Sequence, residues 1–216
     1  MNFSLNTTII KPENNEKVKS AVILLHGYGG DGKDISMLTL NWKRFLKNTV
    51  FLCPDAHEVC SINPTGFQWF DLSIDDPDYV ITEVKKAEKI LIEYIEQIKE
   101  NYNIDNSQII LAGFSQGCMM SINLGLICSQ SFRSVIGFSG KIIDKEDLQK
   151  RIISNTDMLL FHGDADEVVP SSNLLEAKDF LERNKIKVEV NMIKNCSHHI
   201  PVEALSLALK YIKKII

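Results

Sequence analysis

Short apolar runs punctuate this chain at intervals, and each is followed by a polar or glycine-bearing loop and then a stretch of helical spacing. Ala21–Leu25, Thr49–Cys53, Gln108–Ala112, Ser134–Phe138, Met158–Phe161 and Lys187–Ile193 have the length and β-branched content of strands buried in a sheet. Phe3–Ile10 alternates weakly and reads as an edge strand. Between these runs the period changes. Over 80–102, Val80, Val84, Ala87, Leu91, Tyr94, Ile98 and Tyr102 fall on one helical face, with Lys85, Glu88, Lys89, Glu93 and Glu96 on the others. Helices are also expected over 35–46, 118–127, 145–153, 171–184 (with Ser171 as a cap) and 201–215 (with Pro201 in its first turn). Pro12–Lys17 reads as a turn, and 54–79 as a long irregular connection carrying Phe67, Trp69 and Phe70.

Strands alternating with helices imply an α/β fold: a mostly parallel sheet with helices on both faces. At 216 residues the chain suits one domain, 1–216, with no room for a large cap. In such sheets the working residues lie on loops beyond the carboxyl ends of the strands.

The loop that matters most is Gly113-Phe114-Ser115-Gln116-Gly117, between a buried strand and a buried helix. Glycines on both sides allow a sharp turn that lifts the serine hydroxyl above the sheet edge. The serine also falls at a helix N-terminus, where unpaired amides favour developing negative charge. A serine hydroxyl needs a base, and the base needs an orienting acid. The later loops offer both, in the order serine, acid, histidine: Asp166 and then His198, with Asp164 and His199 as neighbours able to take the same parts. The backbone N–H of Gln116 and one N–H from His26–Gly29, taken as that of Tyr28, would receive the oxyanion. Trp69, Phe70 and Val168 are expected to line the substrate. His26 and His162 read as strand-end residues bonded to nearby loops, and His57 as a surface residue.

Composition narrows the picture. The formal net charge is −4, which argues against a nucleic-acid partner. Five cysteines without a C-x-x-C pair read as reduced thiols of a cytoplasmic protein. No secretory signal and no transmembrane segment is legible, and oligomeric state is left open.

Together, Leu25-His26-Gly27-Tyr28-Gly29, Gln68-Trp69-Phe70-Asp71, Gly113-Phe114-Ser115-Gln116-Gly117, His162-Gly163-Asp164-Ala165-Asp166 with Val169-Pro170, and Ser197-His198 span nearly the whole chain. In kind and order they resemble the phospholipase/carboxylesterase family, the small carboxylesterases and acyl-protein thioesterases. The resemblance implies an α/β-hydrolase without cofactor or metal, acting on acyl esters or thioesters of small molecules, lipids or proteins. It also selects Asp166 over Asp164 and His198 over His199. Two positions depart from the family pattern: Cys118 and Ser197 stand where glycines are usual.

Three other readings use the same residues. Gly27–Asp34 nearly spells a phosphate-binding loop, but Asp31 and Asp34 would repel phosphate. A metal hydrolase would draw on His162, Asp164, Asp166, His198 and His199. A non-catalytic binding module would use the fold alone.

Overall fold

A computed structural model describes residues 3–12 and 17–216. The expected turn over Pro12–Lys17 therefore falls largely outside the described residues. Seven strands form the main sheet: β1 (Thr7–Ile10), β2 (Ser20–Leu25), β3 (Thr49–Pro54), β6 (Ile109–Phe114), β7 (Ser134–Phe138), β8 (Met158–Gly163) and β9 (Val188–Ile193). The short strands β4 (Glu58–Val59) and β5 (Phe67–Gln68) pair separately. The sheet order is β1-β3-β2-β6-β7-β8-β9, parallel throughout except for β1, which runs antiparallel along the β3 edge. Between β2 and β6 the connections reverse direction, and a crevice opens at such a switch point beyond the strand ends.

Side chains alternate across each strand, and the two sets build two cores. Ala21, Ile23 and Leu25 of β2 face one layer; Val22 and Leu24 face the other. The first layer is closed by α2 (Pro77–Tyr102), α3 (Gln116–Ile127), α4 (Lys145–Arg151) and α5 (Ser172–Arg183). The second is closed by α1 (Gly32–Ser36) with the turns that follow it, and by α6 (Val202–Ile215). Helix α3 is buried from Gln116 to Leu126, which explains its lack of a polar face.

Several expected boundaries move. The helix expected over 35–46 begins earlier, at Gly32 behind an Asp31 cap, and gives way at Met37 to a 3₁₀ segment ending at Asn41. Burial of Trp42 favours the tighter turn: its ring is fully enclosed and its Nε1–H donates to Leu205 O at 3.1 Å. Ser171 makes no capping bond, and Pro201 precedes α6 instead of sitting within its first turn. His57 is not a surface residue, since its side chain is only 9% exposed, 3.5 Å from Glu58.

One charged group lies within the first layer. Glu88 of α2 is buried, and its carboxylate meets Arg151 at 2.8 Å and Asn123 Nδ2 at 2.8 Å. Removing the cation alone strands a buried charge. Arg151→Ala is expected to lower unfolding free energy by about 3 kcal/mol or more, while a Glu88→Leu/Arg151→Met pair recovers most of it. Urea titration of the two variants tests this, and equal losses in both would contradict it.

Candidate active site

The strand–turn–helix at the switch point is tight for a steric reason. A Cβ on Gly113 would lie 2.2 Å from Gly117 O, and one on Gly117 would lie 2.1 Å from Leu25 O. No side chain fits either gap, so β6, α3 and the end of β2 close on one another only through glycine. Between them Ser115 takes φ 52°, ψ −114°, a strained backbone for a residue with a Cβ. Its amide donates to Phe138 O at 2.8 Å, and its carbonyl accepts from Met119 N at 3.1 Å, which hold the turn.

Two later loops converge on it. Asp166 follows β8, and Val168 N and Val169 N both donate to its Oδ1 at 2.9 Å. His198 follows β9. Its Nδ1 lies 2.8 Å from Asp166 Oδ2 and its Nε2 lies 3.0 Å from Ser115 Oγ, while its ring packs on Phe114 at 4.8 Å. The loops are held together because Gly163 lets Cys196 O approach where a side chain would stand. Burial alone would push the Asp166 carboxyl up. Hydrogen bonds from His198 and the Val169 and Val168 amides outweigh it and keep the group below the usual carboxylate range. The acid is thus ionised beside the imidazole.

The neighbouring candidates are elsewhere. Asp164 is exposed, and the His199 ring bonds Ser197 Oγ at 3.0 Å through Nδ1. Among the described residues no group of three or more His, Cys, Asp or Glu side chains is placed to hold a metal ion. The phosphate-loop reading fails on the same ground of geometry. The Gly32 amide donates to Asp55, the Asp34 amide to Asp31, the Gly29 amide to Phe67 O and the Gly30 amide to Gly27 O. Protein carboxylates and carbonyls already occupy the donors that a phosphate would need.

With Gly29 and Gly30 engaged, the Tyr28 N–H is left without an acceptor among the described residues, on the loop beside Ser115. The Gln116 N–H opens α3 and has no intrahelical partner. Sequence reasoning missed what the Gln116 side chain does. Fully buried, it accepts from Trp69 N at 2.9 Å and donates to Phe70 O at 2.6 Å, clamping the long connection under the serine turn. Trp69 Nε1–H in turn donates to His26 O at 3.0 Å. His26 accepts from Ala56 N at Nε2 and donates from Nδ1 to Gly27 O. Burial pulls its pKa down against the Gly27 carbonyl and nearby acids. A glutamine beside a serine carries no local pattern that signals such a clamp.

The expected substrate residues separate. Trp69 is wholly buried under the site. Phe70 lines a cavity of about 380 Å³ with Leu72, Ile74, Val80, Ile81, Met119 and Ile143, together with Lys141, Asp75, Asp76 and Asp144. Met119 is one turn along α3 from Ser115, while Ser115, Asp166 and His198 are not among the lining residues. Val168 stands 68% exposed on the acid loop, outside that lining. The departures from the expected pattern are accommodated. Cys118 fills the space left by Gly137 and Gly140, where burial pushes its thiol up to about 12, and Ser197 bonds His199. All five cysteines are free.

A doubly wound sheet carrying serine, acid and histidine loops at one edge defines an α/β-hydrolase. The phospholipase/carboxylesterase family model matches residues 6–216, and the chain belongs to that family of ester-cleaving hydrolases. Acyl-protein thioesterase 1 of Gibberella zeae is 30% identical over 189 residues, covering 79% of this chain and 75% of its own. Acyl-protein thioesterase 1 of Schizosaccharomyces pombe is 25% identical over 230 residues, covering 100% and 99%. Among solved structures, esterase PE8 is similar at a TM-score of 0.93 and 32% identity, over 98% of this chain and 99% of that one. The Bacillus cereus carboxylesterase shares the fold at a TM-score of 0.81 and 16% identity, over 99% and 95%.

The Gln116 clamp makes its own prediction. In Gln116→Glu a carboxylate oxygen replaces the donor that faces Phe70 O, setting two buried acceptors together. The expected loss is about 2 kcal/mol or more of stability, with at least a tenfold fall in kcat/KM as the connection shifts. Urea midpoints and ester hydrolysis measured together check it, and wild-type values in both would show that the clamp is dispensable.

Proposed function

We propose that the chain is a cytoplasmic serine hydrolase, one catalytic domain over 1–216, that cleaves carboxylic esters or thioesters through a Ser115–His198–Asp166 triad and an acyl-enzyme. The observation that carries this reading is the pair of contacts made by His198: 3.0 Å to the serine oxygen and 2.8 Å to the carboxylate. In this mechanism His198 Nε2 takes the Ser115 proton as Oγ attacks the acyl carbon. Asp166 holds the Nδ1–H tautomer and steadies the imidazolium that forms. The tetrahedral oxyanion is received by the Tyr28 and Gln116 amides, helped by the α3 dipole. Collapse expels an alcohol or thiol, which takes the proton from His198. Water, deprotonated by the same imidazole, then releases the acid.

The substrate follows from the cavity. Its apolar walls are Phe70, Leu72, Ile74, Val80, Ile81, Met119 and Ile143, which suit an alkyl chain, and Lys141, Asp75, Asp76 and Asp144 line it as well. The acyl part of an acylated protein, a lysophospholipid or a small fatty ester would enter there, and the names of the thioesterase relatives favour the first. Five free thiols support a reducing compartment. No helix among the described residues is long and apolar enough to cross a membrane.

Two tests follow from the roles. Ser115→Ala should fold normally and lose esterase turnover by several orders of magnitude, since triad members act as a unit. Retention of more than about a tenth of wild-type kcat excludes Ser115 as the nucleophile. In the same assay His198→Ala should be inactive and His199→Ala should keep most activity. The reverse pattern would move the base by one residue.

A further test concerns chain length. Ile81→Trp fills the cavity, so kcat/KM for p-nitrophenyl esters longer than about eight carbons should fall at least tenfold, with acetate little changed. A uniform loss across the series would remove the cavity from substrate binding.

A further inference from the structure

We infer that His162, which the mechanism above does not use, is a positioning residue for Asp166: a second imidazole on the carboxylate oxygen that orients His198. The inference rests on the triad reading. His162 ends β8 with its side chain 1% exposed. Its Nε2 lies 2.9 Å from Val169 O and 3.3 Å from Asp166 Oδ2. A carbonyl only accepts, so Nε2 carries the hydrogen and donates it to Val169 O, while the same nitrogen packs against Asp166 Oδ2. Nδ1 is buried without a partner among the described residues, which fits this tautomer.

Oδ1 takes the Val168 and Val169 amides, Oδ2 takes His198 Nδ1, and His162 Nε2 packs against Oδ2 at 3.3 Å. With the amides alone, Oδ1 would be fixed and Oδ2 free to swing with the side chain, and the packed imidazole limits that swing. Through Val169 O it also ties the residue whose amide holds Oδ1 back to the end of β8. Small losses of orientation at a triad translate into kcat, because the base must meet serine and acid at once.

Side-chain length separates this role from simple filling of the core. In His162→Gln the amide nitrogen reaches the Nε2 position; in His162→Asn it ends near Nδ1, short of Val169 O and of the contact with Oδ2. The Asn variant should lose about 10- to 100-fold in kcat on p-nitrophenyl butyrate with KM within about twofold. The Gln variant should stay within about threefold of wild type. The far-downfield proton resonance of the His198–Asp166 hydrogen bond should persist in Gln and broaden or vanish in Asn.

Equal activity of folded Asn and Gln variants, or a loss confined to KM, overturns the role. If the Asn variant does not fold, the Gln variant decides alone: it must keep both kcat and the resonance, and losing either with the fold intact overturns the assignment. Fluorophosphonate labelling of wild type at Ser115 separates the two levels. An unlabelled wild type sinks the triad reading itself, whereas a labelled wild type with an equally active Asn variant sinks only the part assigned to His162.

Discussion

Ser115 is held at φ 52° by backbone pressed on backbone. Leu25 O stands 2.1 Å from where a Cβ on Gly117 would be, and Gly117 O stands 2.2 Å from where one on Gly113 would be. That contact sets the distance between β2, β6 and the start of α3, and the remaining machinery is measured from it. Strain of this kind costs on the order of 1–3 kcal/mol and survives only where surrounding structure over-determines it. Here the bonds from Ser115 N to Phe138 O and from Met119 N to Ser115 O do so, at the centre of a sheet packed on both faces.

From that fixed turn the site is assembled by three loops that belong to different strands but share one sheet edge. The Asp166 loop follows β8, the His198 loop follows β9, and the Tyr28 loop follows β2. Each is braced from below. Gly163 admits Cys196 O, so the Asp166 and His198 loops touch; His26 and Trp69 support the loop that carries Tyr28; Gln116 ties Trp69 and Phe70 to helix α3. The long connection of residues 54–79 is therefore both floor and wall: Trp69 under the Tyr28 loop, Phe70 along the cavity. Its irregular course follows from serving both ends, since Trp69 and Phe70, adjacent in the chain, face different neighbours.

Much of this was legible beforehand because its physics is local. An apolar run of strand length, a glycine pair around a serine and a helical stripe over 80–102 each carry their meaning within a few residues. The order serine, acid, histidine is meaningful once a parallel sheet is inferred, since every strand end then opens on the same edge. The extent of the helix after Gly32 was not legible in the same way. Whether Thr39–Trp42 continues an α-helix depends on how α6 receives the Trp42 indole, and Leu205 is distant in sequence.

By itself, then, the sequence determined an α/β protein and singled out Ser115, Asp166 and His198 as its candidate site, because period, glycine placement and chain order are properties of short segments. Tertiary structure decided what depends on which distant atoms meet. It set His198 apart from His199 by aiming one ring at the serine and the other at Ser197. It buried both Trp69 and Phe70 and set only Phe70 against the cavity. It turned the Gln116 side chain into a clamp and brought His162 against Asp166. A side chain's direction and its partners are fixed only when the sheet and its loops close. Such pairings carry no periodic or local signature, so packing alone makes them.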